Sequence, residues 1–149
     1  MSDILKACKG MAESTFKPGE DLIQEGAKPG RIYVLESGEV KISKKGVELA
    51  KTRLKGSLLG EMGALLAIPA SATVTASSPV KAYRIDNGDQ FLRENPEFAV
   101  HAATMLAHRL NSAQGFLSQA VAAQKDTGKE LEQTKEALAL LMTDPEGEA

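Results

Sequence analysis

"RIYVLESGEVKISKKGVELAKTR", Arg31 to Arg53, is the stretch that decides the fold. Its apolar residues come in short runs broken by "ESGE" and "KKG", and between the breaks they recur at every second position. Period two marks a half-buried strand, because successive side chains point to opposite faces of a sheet. Val40 and Ile42, then Val47 and Leu49, are therefore expected to face a core, with Lys41, Ser43, Glu48 and Ala50 facing out. "KKG", Lys44 to Gly46, reads as a hairpin tip with solvated lysines.

The same texture runs from Thr15 to Ile85. "DLIQE", "ATVTAS" and "VKAYRI" add further runs, and "KPGE", "GAKPGR", "KGS" and "SSP" add turns. About eight short strands at near-regular spacing point to a sandwich, barrel or jelly roll. Ahead of them, residues 2–10 read as a short helix with Ser2 as N-cap and Gly10 as its stop. After Ile85 the period becomes helical. "DNGDQFLREN" is a short helix carrying Phe91 and Leu92. A helix of roughly 30 residues follows, to Lys125, with Asn95 as N-cap, Pro96 at its first position and Glu97 near the positive end of the dipole. The expected fold is mainly β with flanking helices: a β-roll or jelly roll of about eight strands, a short N-terminal helix and a long C-terminal one. The expected divisions are residues 1–94 for the roll, 95–125 for the long helix and 126–149 for an acidic helical or disordered tail.

Along the long helix, Leu106, Leu110, Ala113, Leu117, Ala120 and Gln124 alternate steps of four and three, and the register continues through Thr127, Leu131, Thr134, Leu138 and Leu141. That is a coiled-coil seam with polar interruptions. Gly128 weakens its middle, which leaves one helix or two helices with a bend. Such a stripe can pack on the chain's own β-domain. With Met105, Phe116 and Val121 beside it, the stripe is wide enough to face a second copy as well, and a homodimer is the expectation.

Composition limits the function classes. The chain has 149 residues, 42% hydrophobic and 26% charged, which suits one domain with a modest core plus an extension. There is no apolar run long enough for a membrane span, and "MSDILKACKG" lacks the basic and apolar regions of a secretory signal, so a cytoplasmic location without membrane contact is expected. Cys8 is the only cysteine, which excludes an internal disulfide or a cysteine cluster for zinc or iron–sulfur. The formal net charge is −2. From Asp126 onward seven acids outweigh two lysines, a balance of −5, so the first 125 residues carry +3. Neither part is the basic surface that duplex DNA attracts.

Enzymatic motifs are missing. His101 and His108 lie seven apart on one helix, two turns distant, whereas zinc ligands on a helix sit at i and i+4. They are expected to be solvated or interface residues, with haem ligation a remote variant, and the runs that read as strands have no histidine to support a metal-dependent barrel enzyme. Ser71 has no histidine in the β-region to act as its base. No Gly-x-x-x-x-Gly-Lys phosphate loop occurs. The chain is expected to be non-catalytic and metal-free.

Four further words carry a resemblance: "FKPGEDLIQEG" (Phe16 to Gly26), "IYVLESGEVKI" (Ile32 to Ile42), "GSLLGEMGALL" (Gly56 to Leu66) and "PASATV" (Pro69 to Val74). Glycines fall at Gly19, Gly26, Gly38, Gly46 and Gly60, where tight turns need positive φ or leave no room for a Cβ. From about residue 3 to 125 the chain resembles the cyclic-nucleotide-binding domain, the sensor module of catabolite activator proteins and of cyclic-nucleotide-gated channels. The resemblance implies a cassette for the nucleotide, built of a short helix, an acid that accepts from the ribose 2′-hydroxyl, and an arginine that grips the cyclic phosphate. Gly60, Glu61 and Met62 match its turn and acid. Ser71 and Ala72 match the small residues that face the phosphate. Glu61 has a second reading as a simple cap on backbone amides at a strand-to-helix turn.

The departure is Ala70. The family pattern is Pro-Arg-small-Ala, and this chain has Pro69-Ala70-Ser71-Ala72. Removing one partner of a desolvated charge pair costs on the order of 2–5 kcal/mol, which weakens binding by tens to thousands of times at roughly 1.4 kcal/mol per tenfold. Arg53, Lys55 and Arg84 lie on other strands or loops and are not aimed at the cassette by sequence. The expectation is a sensor or regulatory module in signal transduction whose cyclic AMP or cyclic GMP binding is weak, altered or absent. The alternative is a ligand-independent dimeric adaptor that works through an unknown protein partner. Relatives that read DNA continue from the long helix into a winged helix-turn-helix. Here 24 residues follow Lys125, with a net charge of −5, so a stand-alone sensor half with no direct DNA contact is expected.

Overall fold

The computed structural model describes residues 2–123 and, beyond them, residues 132, 135–137 and 139. Helix α1 (Ser2–Ala7) leads into strands β1 (Glu13–Phe16), β2 (Asp21–Ile23), β3 (Ile32–Ser37), β4 (Val40–Lys44), β5 (Val47–Thr52) and β6 (Leu58–Leu59). Helix α2 (Glu61–Leu66), strands β7 (Thr73–Ala76) and β8 (Val80–Ile85), and helices α3 (Gly88–Glu94) and α4 (Pro96–Ala123) follow. The strands form two antiparallel four-stranded sheets, ordered β1-β8-β3-β6 and β2-β7-β4-β5. This is the jelly roll with flanking helices that the spacing of turns predicts. The runs quoted from sequence do not include β1 or the two-residue β6, which are too short to show a period.

Strand β3 explains why its sequence is an unbroken apolar run. Ile32, Tyr33, Val34 and Leu35 are all buried, so both faces of the strand are covered. Tyr33 and Leu35 join Leu22, Val40, Val74 and Ala76 in the core between the sheets. Phe16 meets Tyr33 edge-to-face at 5.6 Å. Ile32 lies on the opposite face of β3, beside Gly88 of α3, where an added Cβ would come within 2.5 Å of Ile32 Cδ1. Phe98 is 2% exposed and packs edge-to-face on Phe91 at 4.8 Å, which joins the start of α4 to α3.

Strand β5 departs from the expected pattern. Val47 and Leu49 are 61% and 60% exposed. The pairing runs Val40 to Thr52, Ile42 to Ala50 and Lys44 to Val47, with a register shift between Ile42 and Ser43. That bulge puts Ala50 on the face of Ile42, the reverse of the sequence expectation. Strand β5 is also the outer strand of its sheet, and it is exposed along all but its last residue. Val40 and Ile42 do face the core. The two-residue tip Lys45-Gly46 has φ of 51° and 80°, the doubly left-handed turn that matches strand twist.

The helix boundaries shift slightly. Helix α1 ends at Ala7, before Gly10, and Ser2 is its first helical residue instead of a flanking cap. Asn87 caps α3, its side chain accepting from Gln90 N–H. Asn95 stands between α3 and α4 as expected, but its side-chain amide donates back to the Phe91 carbonyl at 2.8 Å, closing α3. Its backbone carbonyl accepts from Phe98 and Ala99 and so starts α4.

Contacts divide the chain into two units, Met1–Ala102 and Ala103–Ala149. The first holds both sheets and α1 to α3. In the second, Leu106, Ala113, Leu117 and Ala120 are half-buried, whereas Leu110 and Phe116 are 40% and 72% exposed. The remaining seam positions, Gln124, Thr127, Leu131, Thr134, Leu138 and Leu141, and Gly128 with them, lie outside the described residues.

Candidate functional site

Gly60 ends β6 and precedes α2 with φ of 92°. A Cβ here would sit 2.5 Å from the Arg31 carbonyl oxygen and 3.0 Å from Ile23 Cδ1, so the position demands glycine on two counts. Glu61, the first residue of α2, is 4% exposed, whereas Met62 is 45% exposed. Consecutive residues on a helix point about 100° apart, which turns the acid inward and the methionine outward. The helix closes at Ala67, whose φ of 55° is left-handed and whose N–H donates to Gly63 O.

The segment after α2 is held by the loop between β2 and β3. Ala70 N–H donates to Ala27 O at 3.0 Å, and Gly26 N–H donates to Ala70 O at 2.8 Å. Glu25 N–H donates to Thr73 Oγ1 at 3.0 Å. A Cβ on Gly63 would sit 3.7 Å from Pro29 Cβ and 3.1 Å from the Ile68 carbonyl. Residues 25–31 thus run alongside both α2 and the stretch containing Ala70. Ala70 and Ala72 are half-buried and Ser71 is exposed. The structure therefore places Gly60 and Ala70 beside one loop; Glu61 and Met62 follow Gly60 in the chain, and Ser71 and Ala72 follow Ala70. The sequence reading names Gly26 as a turn but gives Ala27, Pro29 and Arg31 no part in this region; "GAKPGR" holds the available signal.

No residue from Met62 to Val80 is charged. Of the basic residues considered from sequence, Arg53 and Arg84 are committed elsewhere. Arg53 donates to Glu39 Oε2 from two guanidinium nitrogens, at 3.3 and 3.0 Å. The Ser77 hydroxyl first, and Arg53 second, hold the Glu39 carboxyl below its usual range. Arg84 and Arg31 both reach Asp86 Oδ1, at 3.1 and 3.3 Å. Lys28, in the flanking loop, and Lys55 are exposed.

A groove of about 360 Å³ opens near the end of β8, lined by Met11, Arg84, Asp86, Gln90, Phe91 and Glu94 among others. Its polar groups already serve one another. Asn87 donates to Gln90 Oε1 and Gln90 to Glu94 Oε1, each at 3.0 Å. His101, expected as a solvated or interface residue, is half-buried: its Nε2 lies 2.7 Å from the Gly56 carbonyl and, since a carbonyl only accepts, carries the proton. His108 is exposed. Cys8 is fully buried, and burial first, then Glu36 and Glu97, push its thiol up to about 11. Among the described residues no group of three or more His, Cys, Asp or Glu could hold a metal ion. No described helix is long and apolar enough to cross a membrane.

The family model for the cyclic nucleotide-binding domain matches residues 13–93, more than half of the sequence. The chain belongs to this family. A cyclic nucleotide-binding domain is a regulatory, ligand-binding module, and the matched span contains both sheets, α2 and the loop beside it. The cAMP-dependent protein kinase regulatory subunit of Eremothecium gossypii is 33% identical over 79 residues, covering 53% of this chain and 17% of that protein. The cGMP-dependent protein kinase of Toxoplasma gondii is 43% identical over 61 residues, 41% of this chain and 6% of that protein. The chain thus spans less than a fifth of either relative's length. The catabolite activator protein of Thermus thermophilus shares the fold, with a TM-score of 0.64 and 24% identity over 79% of this chain and 58% of that one.

Proposed function

We propose that this cyclic nucleotide-binding domain is a non-catalytic sensor whose cassette, Gly60, Glu61, Met62, Ala70, Ser71 and Ala72, binds cyclic AMP or cyclic GMP weakly or takes an altered ligand. The observation that carries the reading is Glu61: an acid 4% exposed at the start of α2, within a matched family span, next to a segment with no cation. The acid supplies an acceptor for a ribose hydroxyl. The alanine at position 70 removes the guanidinium that would grip the cyclic phosphate. A ligand here would act by favouring one arrangement of α2 and the start of α4 over another, and its leverage equals its difference in affinity for the two.

Isothermal titration with cyclic AMP and cyclic GMP tests this. Weak heat in the natural chain, strengthened by Ala70→Arg, is the expected result. Absence of heat at millimolar nucleotide in both proteins would defeat it.

The second reading is a ligand-independent adaptor, and the exposed Leu110 and Phe116 on α4 favour it. In either case we infer a homodimer through Leu106, Leu110, Ala113, Leu117 and Ala120. Light scattering should give twice the 15.8 kDa chain mass, and Leu110→Glu should return it to one.

A further inference from the structure

We infer that His101 is a positioning residue: it fixes where the start of α4 sits and ties that position to the turn at Gly60. Phe98, His101 and Ala102 are spaced i, i+3 and i+4, so they share one face of the helix. Phe98 and Ala102 are each 2% exposed and bury that face through apolar contact. Apolar contact is non-directional and tolerates sliding. A hydrogen bond is directional, and His101 Nε2 donates one of 2.7 Å to the Gly56 carbonyl. Rotating or sliding α4 by a fraction of a turn would break it and strip a buried glycine of that donor. The bond is therefore made in one position of the helix and lost in the others.

The acceptor is itself held firmly. Gly56 N–H donates to Leu35 O at 2.8 Å, and Ser57 O accepts from Leu35 N–H at 2.9 Å. Ser57 is 3% exposed, and its N–H and its hydroxyl both donate to Leu54 O, at 3.1 and 2.7 Å. Strand β6 continues the pairing, with Leu58 across from Val34 and Leu59 across from Tyr33. Gly60 follows, where an added Cβ would sit 2.5 Å from the Arg31 carbonyl oxygen. Residues Gly56 to Leu59 thus join the partner of His101 to the turn before α2, and each is buried and paired to β3. A close-packed stretch without slack transmits strain from one end to the other. The position of α4 and the shape of the turn at Gly60 are then one equilibrium, biased from either end. This link is the regulation of the proposed sensor and rests on that reading.

The test is amide hydrogen exchange and amide chemical shift in the full chain without ligand, for the natural protein, His101→Leu and His101→Gln. Leucine keeps an apolar body and removes the donor, whereas the glutamine side-chain amide can still donate. In His101→Leu, exchange at Ala99 to Ala102 should speed up by about tenfold or more while the β8 amides keep their rates. The resonances of Gly60 and Glu61 should move together with those of Gly56 and Ser57. His101→Gln should restore most of both. Equal acceleration in β8 would mean that His101 adds only global stability, and it overturns the inference. So does a shift confined to Gly56 and Ser57, or no change at the start of α4. Millimolar cyclic AMP, added to the natural chain and to His101→Leu, separates this link from the sensor reading. Slower exchange at Ala99 to Ala102 in the natural chain but not in His101→Leu supports both. Bound nucleotide that leaves these amides unchanged, or slows them equally in the two proteins, overturns the link and leaves ligand binding standing. If neither protein binds, the sensor reading falls, and the ligand-free shifts at Gly60 and Glu61 decide the link alone.

Discussion

The two sheets of the roll are built to different standards. Sheet β1-β8-β3-β6 is apolar on both faces along β3, where four consecutive residues are buried and α3 presses Gly88 against Ile32. Sheet β2-β7-β4-β5 keeps one apolar face and gives the other to polar contacts such as Thr75 to Asp21 at 2.6 Å. It ends in an outer strand that is almost wholly exposed. Burial stabilises at about 25 cal/mol per Å² of apolar surface, so the first sheet carries the greater share of stability. The second is freer to vary, and the cassette segment Ala70–Ala72 runs directly into its strand β7.

The contrast can be broken by mutation. Phe98→Ala removes a ring that is 2% exposed and stacked on Phe91, and should cost about 3–5 kcal/mol in urea unfolding. A loss below 1 kcal/mol would show that the helix-backed side is not the stable one. The Cys8 thiol probes the same side through pH. Its folded value of about 11 lies above its ordinary 9.0, so the folded state keeps a proton that the unfolded state releases. Its contribution is fully present below pH 9 and is lost as pH rises from 9 to 11, by about 2–3 kcal/mol at 1.36 kcal/mol per unit. Chemical denaturation across that window checks it, and Cys8→Ala should flatten the slope.

At the cassette side, Gly60→Ala forces a Cβ to 2.5 Å from the Arg31 carbonyl at a φ of 92°. It should cost about 1–3 kcal/mol and displace the turn before Glu61, readable as a lower thermal midpoint together with altered ligand titration. The smallest effect is expected on β5, where Val47→Thr changes a side chain that is 61% exposed. Its stability should move by no more than about 0.5 kcal/mol. A larger loss would mean that the exposed edge is covered in the working protein.

Much of the fold is legible in the sequence because turns are chemically explicit. Gly19, Gly26, Gly38, Gly46 and Gly60 all adopt positive φ where the spacing places them. Val40 and Ile42 face the core, and α4 begins at Pro96. What sequence misreads is the burial of β5: across from Ile42 stands Ala50 instead of Leu49, and Val47, across from Lys44 beside the hairpin tip, is exposed. Alternation sets which residues share a face only while the register is unbroken, and the bulge after Ile42 breaks it. The partner of His101 is also hidden from sequence: the Gly56 carbonyl is a backbone group 45 residues away, and no side-chain pattern announces it. At the cassette, Glu61 and the missing arginine can be read directly. The loop that holds Ala70 in place acts through backbone bonds, which leave little trace in residue identity.

The open rim of β5 also bears on how the domain could meet other chains. An outer strand with bare valine and leucine is a template for stacking with other chains. Here the hairpin tip sets Lys44 and Lys45 at one end of that rim, Glu48 in its middle and Lys51 near the other, across from Lys41. These charges act as gatekeepers, since aligning another copy of the strand would crowd like ammonium groups together. Acetylating those lysines would remove the repulsion that guards this edge while leaving its apolar residues bare.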